Sequence, residues 1–165
     1  MKNEKKCIFA GTFDPPTLGH KATIEDCLEI FDEVVIAILV NPKKEPLFSV
    51  DERKEMLALC FDETQKKRIK IIAFEGTVTK LLERENTKFY ARGIRNATDL
   101  DFENANFYAS KKLDDKFIAV YLPCKQELLH ISSSMVRNSL HFSTPIDEYV
   151  TKEVKEYIDK IYQRK

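Results

Sequence analysis

Four segments of the sequence combine glycine, hydroxyl or cationic side chains in patterns that suit the binding of a phosphate. The first spans residues 11–20, joins a short apolar stretch to a helix-like one, and contains Thr12 and His20. Glycine lets the backbone approach an anion closely, and a helix N-terminus offers free N–H groups with a partial positive charge. The imidazole of His20 can add another N–H donor. This combination indicates a ligand site rather than an ordinary strand-to-helix connection.

Two further segments carry cations that directly follow predicted strands. Lys43 and Lys44 come after an apolar run, and either ammonium could reach an anion there, although taken alone they are typical of a solvated turn. Arg92 follows a later predicted strand, where its planar guanidinium can bind phosphate oxygens. The alternative for Arg92 is a surface ion pair with Asp99 or Asp101.

The fourth segment is a run of serines at 132–134, at the start of a predicted helix. Hydroxyls and free N–H groups at such a position can bind an anion, although taken alone the run is typical of a serine N-cap. All four features together favour a phosphate-bearing ligand. The sequence contains no G-x-G-x-x-G, G-x-x-x-x-G-K-[ST] or G-x-S-x-G motif, which disfavours dinucleotide dehydrogenases, P-loop NTPases and α/β-hydrolases.

The elements that must position these segments alternate between strand-like and helix-like patterns. Strands are predicted at residues 6–10, 34–40, 69–74, 89–91 and 117–122. Helices are predicted at 19–31, 49–61, 77–85, 99–113 and 132–140, with a last one that begins near Thr144, Pro145 and Asp147. This alternation predicts an α/β fold, namely a Rossmann-like five-stranded parallel sheet with helices on both faces, in a single domain over residues 1–165. Ligands of such sheets bind beyond the carboxyl ends of the strands.

Composition narrows the class of protein further. A chain of 165 residues can bury an adequate core without disulfides or a structural metal. Lys and Arg total 27, as do Asp and Glu, so the chain lacks the excess of positive charge that suits nucleic-acid binding. The longest apolar run, 34–40, is too short to span a membrane. The four widely spaced cysteines are predicted to be free thiols of a cytoplasmic protein, and the three histidines lack zinc-ligand spacing.

The four segments resemble the nucleotidyltransferase superfamily that carries an H-x-G-H type signature, which here reads Thr17-Leu18-Gly19-His20. Within it, the chain most resembles the phosphopantetheine adenylyltransferases, bacterial enzymes of coenzyme A synthesis. The resemblance covers nearly the whole chain and is carried by residues 11–15, 31–34, 92–95 and 131–134, with Lys44, Phe48, Glu52, Arg53, Asp99 and Glu103. The segment 92–95 followed by Asp99 and Glu103 is the part most specific to this family.

The resemblance implies that the adenylyl group of ATP is transferred to 4′-phosphopantetheine, which gives dephospho-coenzyme A and pyrophosphate by in-line attack without a covalent enzyme intermediate. The catalytic residues that it implies are His20, Lys44 and Arg92, with His20 stabilising the transition state. The acceptor contacts that it implies are Thr12, Lys44, Val78 and Arg92. The ATP contacts that it implies are Thr12, Phe13, His20, Gly93, Ile94, Arg95, Glu103, Leu128, Leu129, His130, Ile131, Ser132, Ser133 and Ser134.

The same resemblance implies Mg²⁺ that arrives with ATP, with no metal site in the protein itself. It also implies a homohexamer in the cytoplasm that binds coenzyme A and has neither a nucleic-acid nor a membrane partner. The chain departs from the usual family pattern at Ala10, Pro16, Leu18, Phe102 and Leu128.

Three alternatives stay open from the sequence. A nicotinate mononucleotide adenylyltransferase usually has a second histidine where this chain has Thr17, and it lacks the segment 92–95 followed by Asp99 and Glu103. A cytidylyltransferase for a phospho-alcohol has a different signature before the last helix. A non-catalytic nucleotide- or coenzyme A-binding module would bind ATP yet release no pyrophosphate.

Overall fold

The computed structural model describes residues 5–162, in which strands and helices alternate along the chain. The strands are β1 (Lys6–Gly11), β2 (Glu33–Leu39), β3 (Ile69–Phe74), β4 (Phe89–Ile94) and β5 (Ile118–Pro123). The helices are α1 (Leu18–Ile30), α2 (Val50–Leu59), α3 (Glu63–Lys66), α4 (Val78–Arg84), α5 (Ala97–Lys111), α6 (Ser133–His141) and α7 (Lys152–Tyr162), with a 3₁₀ turn at Gln126–Leu128. No helix within residues 5–162 is long and apolar enough to cross a bilayer.

The five strands form one parallel sheet in the order β3-β2-β1-β4-β5, which confirms the predicted Rossmann-like architecture. β1 lies at the centre, where Phe9 is in register with Ile36 of β2 and with Ala91 of β4. The chain winds outward from β1 in one direction and from β4 in the other. The carboxyl ends of these two strands therefore border the crevice in which such sheets bind ligands.

Both faces of the sheet are covered, which explains why the central strands are apolar along their whole length. On one face, Phe9 and Ile36 belong to a core that also contains Val154 of α7. On the other face, Ile8 and Val35 pack in a second cluster with α4 and other elements. Alternate side chains of one strand thus anchor helices on opposite sides of the sheet.

The structure differs from the sequence predictions at the last helix and at a short helix between α2 and β3. The last helix begins at Lys152 rather than near Thr144, and the hydroxyl of Thr151 accepts the backbone N–H of Val154 at 3.3 Å. The side chains of Ile146 and Val150 are buried, so the segment before Thr151 packs on the core as turns although its residues have cap-like spacing. The structure also contains α3, which the sequence analysis did not predict.

The strand β4 extends to Ile94, past the predicted end at residue 91. In consequence Arg92 does not follow the strand but lies inside it, in register with Tyr121 of β5. This pairing fixes the backbone of Arg92 within the sheet.

Candidate active site

A cavity of about 680 Å³ opens at the carboxyl ends of β1 and β4, where the topology predicts a ligand site. All four segments singled out in the sequence contribute to its wall. The predicted site residues that line it are Thr12, His20, Lys44, Arg92, Gly93, Arg95, Glu103, Leu128, Ile131, Ser132, Ser133 and Ser134. The structure therefore brings together residues that are up to about 120 positions apart in the sequence.

The remaining predicted site residues lie elsewhere. Val78 lines a second, adjoining cavity of about 360 Å³, which also contains Tyr121. The side chain of Phe13 is only 1% exposed and packs edge-on against the His20 ring, with centroids 5.0 Å apart. His130 makes a similar edge contact with Tyr149, at 6.4 Å. The side chains of Ile94 and Leu129 line neither cavity.

Buried polar groups fix the loop that follows β1. A guanidinium N–H of Arg53 donates to the carbonyl oxygen of Thr12 at 2.8 Å, and Arg53 is only 3% exposed. The Asp14 carboxylate accepts the backbone N–H groups of Leu47 and Phe48 at 2.8 and 2.9 Å. These contacts link the loop to the segment that carries Lys44, so the two cannot move independently.

The same loop is also linked to α6. Arg137 donates from Nη1 to the carbonyl oxygen of Asp14 at 2.7 Å, and the Ser133 hydroxyl donates to the carbonyl oxygen of Pro15 at 2.8 Å. The hydroxyl of Ser132 accepts the N–H of Met135 at 3.2 Å and caps the helix. The backbone N–H groups of Ser133 and Ser134, at the first two positions of the helix, have no acceptor within it, so they remain available to an anion.

His20 occupies the third position of α1 and takes part in the cap of that helix. Its Nδ1 accepts the backbone N–H of Thr17 at 3.0 Å, while the Thr17 hydroxyl accepts the backbone N–H of His20 at 3.4 Å. A ring nitrogen that accepts a hydrogen bond uses its lone pair and carries no proton, so the neutral imidazole is protonated on Nε2. That N–H has no partner among the described residues and is free to donate to a ligand.

The environment keeps this imidazole neutral. Burial lowers the pKa of His20 to about 4, and the positive charges of Arg92 and Arg95 act in the same direction. Near pH 7 the ring is therefore an uncharged N–H donor surrounded by cations. Such a donor can stabilise charge that develops on a phosphoryl oxygen, but it is too weak a base to remove a proton efficiently near neutral pH.

Two arginines of β4 and the following turn have carboxylate partners. The Nε of Arg92 donates to Glu103 Oε1 at 2.8 Å, and its Nη2 lies 2.7 Å from the same oxygen. Its Nη1 donates to the carbonyl oxygen of Ala10. The Nε of Arg95 donates to Asp99 at 2.9 Å. The partner of Arg92 is thus Glu103, not the Asp99 or Asp101 considered from the sequence.

Four residues that shape this site were not assigned to it from the sequence, namely Asp14, Thr17, Arg53 and Arg137. Thr17 and His20 are three positions apart, the spacing of a capping box, and Ser133 and Arg137 are one helical turn apart. These spacings could have indicated that the residues act together. The buried carboxylate of Asp14 and the buried Arg53 gave no such signal, since their partners are distant in sequence.

Comparison with known proteins places the chain among nucleotidyltransferases. The sequence profile of the cytidylyltransferase-like family matches residues 8–139. A phosphopantetheine adenylyltransferase of Campylobacter hominis is 35% identical over 153 residues, which cover 93% of this chain and 95% of that protein. A Flavobacterium johnsoniae protein of the same name is 37% identical over 151 residues, with coverage of 92% and 97%.

A solved structure gives independent support for the fold. It is Plasmodium falciparum nicotinic acid mononucleotide adenylyltransferase in complex with NaAD, with a TM-score of 0.70 and coverage of 96% of each chain. At 19% identity this likeness shows the fold alone. The relatives that share more than a third of their residues over nearly the full length decide the family. The chain belongs to the phosphopantetheine adenylyltransferases, a family of nucleotidyltransferase enzymes within the cytidylyltransferase-like superfamily.

Proposed function

We propose that this chain transfers the adenylyl group of ATP to 4′-phosphopantetheine and releases dephospho-coenzyme A and pyrophosphate. The observation that carries the proposal is the arrangement of a neutral imidazole, two cationic side chains and a helix N-terminus around one cavity. His20, Lys44 and Arg92 line that cavity together with the start of α6. These groups all favour phosphate, and together they suit a reaction between two phosphate-bearing substrates.

ATP is proposed to bind between the loop after β1 and the start of α6. The hydroxyls and N–H groups of residues 132–134 would contact its phosphates, and Arg95 would border the nucleoside. Gly93 is closely packed in this part of the wall, because an added Cβ would lie 3.1 Å from the Thr23 hydroxyl and 3.2 Å from Cys124 Sγ. A larger residue at this position would require both neighbouring side chains to shift slightly.

The acceptor is proposed to place its phosphate near Thr12, Lys44 and Arg92 and its arm in the second cavity. Thr12 and Arg92 line both cavities, so an acceptor that contacts them can extend from one cavity into the other. Val78 and Phe107 are among the apolar residues of the second cavity, which suits a long arm of mixed polarity.

The chemistry needs no covalent intermediate. An oxygen of the acceptor phosphate attacks the α-phosphorus of ATP in line, and pyrophosphate leaves from the opposite side. His20 donates from Nε2 to the α-phosphate as charge develops on it, while Lys44 and Arg92 hold the attacking phosphate in place. Cys124 is the cysteine that lines the cavity, and burial raises the pKa of its thiol, which disfavours a role as nucleophile.

Magnesium is proposed to accompany ATP rather than to occupy a site built by the protein. Within residues 5–162, no group of three or more His, Cys, Asp or Glu side chains is placed to hold a metal ion. Both oxygens of Asp14 already accept backbone N–H groups. This fits Mg²⁺ that is bound mostly by phosphate oxygens and water, where it would neutralise the charge of the leaving pyrophosphate.

The expected homohexamer and cytoplasmic location are also proposals. Tyr108 on α5 and Leu113 after it are 64% and 75% exposed and lie outside both cavities, which supports their burial against another copy of the chain. Static light scattering would measure the assembly. All four cysteines are free thiols, as is usual in a reducing compartment.

The test of the proposed reaction is pyrophosphate release from Mg·ATP with separate acceptors. We expect release with 4′-phosphopantetheine and not with nicotinate mononucleotide or glycerol 3-phosphate. If pyrophosphate is released only with another acceptor, the proposed ATP site still stands, but the proposed acceptor site is wrong. If the protein binds ATP and releases no pyrophosphate with any acceptor, it is a binding module rather than an enzyme.

A further inference from the structure

One polar atom beside the second cavity has no hydrogen-bond partner. The side chain of Tyr121 lines this cavity, and its hydroxyl oxygen is buried. Among the side chains described over residues 5–162, this oxygen is the one buried nitrogen or oxygen without a hydrogen bond. Folding has removed it from water without supplying a replacement, which costs stability. Such an atom beside a cavity points to a ligand that supplies the missing hydrogen bond.

The position of Tyr121 in the sheet places its side chain on the acceptor side of the site. Tyr121 of β5 is in register with Arg92 of β4, and paired residues of adjacent parallel strands point to the same face of a sheet. Arg92 lines both cavities and is proposed to hold the acceptor phosphate. Neighbouring strands are about 4.8 Å apart, so an acceptor that binds Arg92 and extends into the second cavity lies against the Tyr121 ring.

Much of the wall of the second cavity is apolar. The apolar side chains that line it are Leu39, Val78, Phe107, Phe117 and Ala119. Asn106 and Ser110 of α5 line it as well, but Asn106 is exposed to water, and neither residue has a buried polar atom without a partner. The hydroxyl of Tyr121 is therefore the polar group of this wall that gains most from a ligand.

The proposed acceptor carries groups that match this hydroxyl. The arm of 4′-phosphopantetheine contains two amide groups, and an amide that leaves water for an apolar cavity needs a hydrogen-bond partner. Burial raises the pKa of Tyr121, so its hydroxyl keeps its proton near pH 7 and can donate it to an amide carbonyl oxygen. The amide and the hydroxyl would each satisfy a group that otherwise lacks a partner.

We infer that Tyr121 selects for the amide-bearing arm of the acceptor, to which its hydroxyl donates a hydrogen bond. The inference rests on the proposed function and extends it, since the acceptor contacts implied by the resemblance do not include Tyr121. In the free chain the hydroxyl is closed off from water, so the ring has to turn slightly toward the cavity to reach the arm. The side chain as a whole is only partly buried, which leaves room for this movement.

The test compares the wild-type protein with Tyr121→Phe, which removes the hydroxyl and keeps the ring. Pyrophosphate release gives KM separately for 4′-phosphopantetheine and for ATP. We expect the acceptor KM to rise roughly 5- to 30-fold, because an amide of the arm loses its partner, and the ATP KM to change less than about 2-fold. Tyr108→Phe removes the same atom from an exposed tyrosine outside both cavities, so this matched control should change neither KM. Circular dichroism checks that each variant is folded.

A shortened ligand gives a second readout that separates the arm from the phosphate. The compound 4-phosphopantoate keeps the phosphate end of the acceptor but lacks both amides. Its inhibition constant against 4′-phosphopantetheine should differ less than about 2-fold between the wild-type protein and Tyr121→Phe, because the lost hydroxyl has no amide to bind in this ligand.

Three results would overturn the inference. The first is an unchanged acceptor KM in Tyr121→Phe. The second is an equal loss for 4′-phosphopantetheine and 4-phosphopantoate, which would place the effect at the phosphate rather than at the arm. The third is a lower melting temperature of the ligand-free variant, which would show that the hydroxyl has a partner within the protein. If the wild-type protein shows no turnover with 4′-phosphopantetheine, it is the proposed function that fails, and this outcome is seen before any variant is compared.

Discussion

The Nδ1 atom of His20 accepts the backbone N–H of Thr17, three residues earlier, at 3.0 Å. One contact therefore has two effects. It satisfies a backbone N–H at the start of α1, which would otherwise lack a partner, and it directs the imidazole proton to Nε2. The sequence motif Thr17-Leu18-Gly19-His20 is thus a helix cap as well as a candidate catalytic element, and the orientation of the ring depends on the fold of the helix.

Replacement of His20 by Ala should lower kcat by about 10²- to 10⁴-fold, because an N–H donor to the α-phosphate is lost. The KM values should change little, since the binding cations remain. Steady-state pyrophosphate release measures both quantities. His141→Ala is the matched control, as this exposed histidine lies outside the cavity. Unchanged turnover in His20→Ala would remove the residue from the mechanism.

The low pKa of His20 can be observed directly by NMR. Its ring resonances should titrate with a pKa of about 4, and the signal can be assigned by its absence from the spectrum of His20→Gln. A midpoint near the ordinary value of about 6.5 would contradict the environment described above.

The same pKa makes stability depend on pH in a defined direction. Above about pH 6.5, His20 is neutral in both the folded and the unfolded chain, so it does not make the free energy of unfolding depend on pH. Between about pH 6.5 and 4, only the unfolded chain takes up the proton, so this residue lowers the free energy of unfolding by about 1–3 kcal/mol. Denaturant unfolding at several pH values should show a smaller loss in His20→Gln than in the wild-type protein.

Lys44 and Lys43 allow a comparison of neighbouring cations. Lys44 lines the cavity, whereas Lys43 does not. Lys44→Ala should raise the KM for 4′-phosphopantetheine roughly 10-fold, because a charged hydrogen bond to its phosphate is lost, and should change the ATP KM less. Lys43→Ala should leave both values unchanged. Equal effects of the two substitutions would indicate general electrostatic attraction rather than a specific contact.

Asp14 should contribute strongly to stability. Its substitution by Ala leaves the N–H groups of Leu47 and Phe48 without their acceptor, and we expect a loss of about 2–4 kcal/mol in the free energy of unfolding. Urea unfolding measures this loss. Asp115→Ala, at an exposed turn, serves as control and should cost less than about 0.5 kcal/mol. A loss of similar size in both variants would contradict the anchoring role.

Substitution of Tyr121 should change the free energy of unfolding in the opposite direction to substitution of Asp14. Its hydroxyl is buried and has no hydrogen-bond partner among the described residues. Tyr121→Phe removes a polar atom that folding leaves without a partner, so the free energy of unfolding should stay constant or rise by about 1 kcal/mol. Thermal unfolding without ligand measures the change, and a clear drop in melting temperature would indicate that the hydroxyl has a stabilising partner.

The strands were predictable because their apolar runs and flanking turns are local signals. The bounds of β3 match the prediction at both ends, since charged residues precede it and Gly76 follows shortly after. The predicted start of α7 was wrong. Residues near Thr144 have the spacing of a helix cap, but burial of Ile146 and Val150 holds this segment as turns. Local spacing does not contain this information, since it depends on which surfaces meet in three dimensions.

The site was predictable as a set of segments but not as a set of contacts. Parallel strands bring their carboxyl ends to one edge, and this placed the segments of Arg92 and His20 together. The pairing of Arg92 with Glu103 depends on how α5 lies across β4, and the hydrogen bond from Ser133 to Pro15 joins residues 118 positions apart. No pattern along the chain encodes either contact.

The loop that follows β1 is held by Ser133, Arg137 and Tyr149, all of which are synthesised near the end of the chain. During translation, the segment that contains His20 leaves the ribosome long before these partners exist. The central strands can begin to assemble earlier, but the nucleotide site cannot be complete until the last helices emerge. Catalytic competence is therefore acquired only at the end of synthesis, so an incomplete chain should not consume ATP.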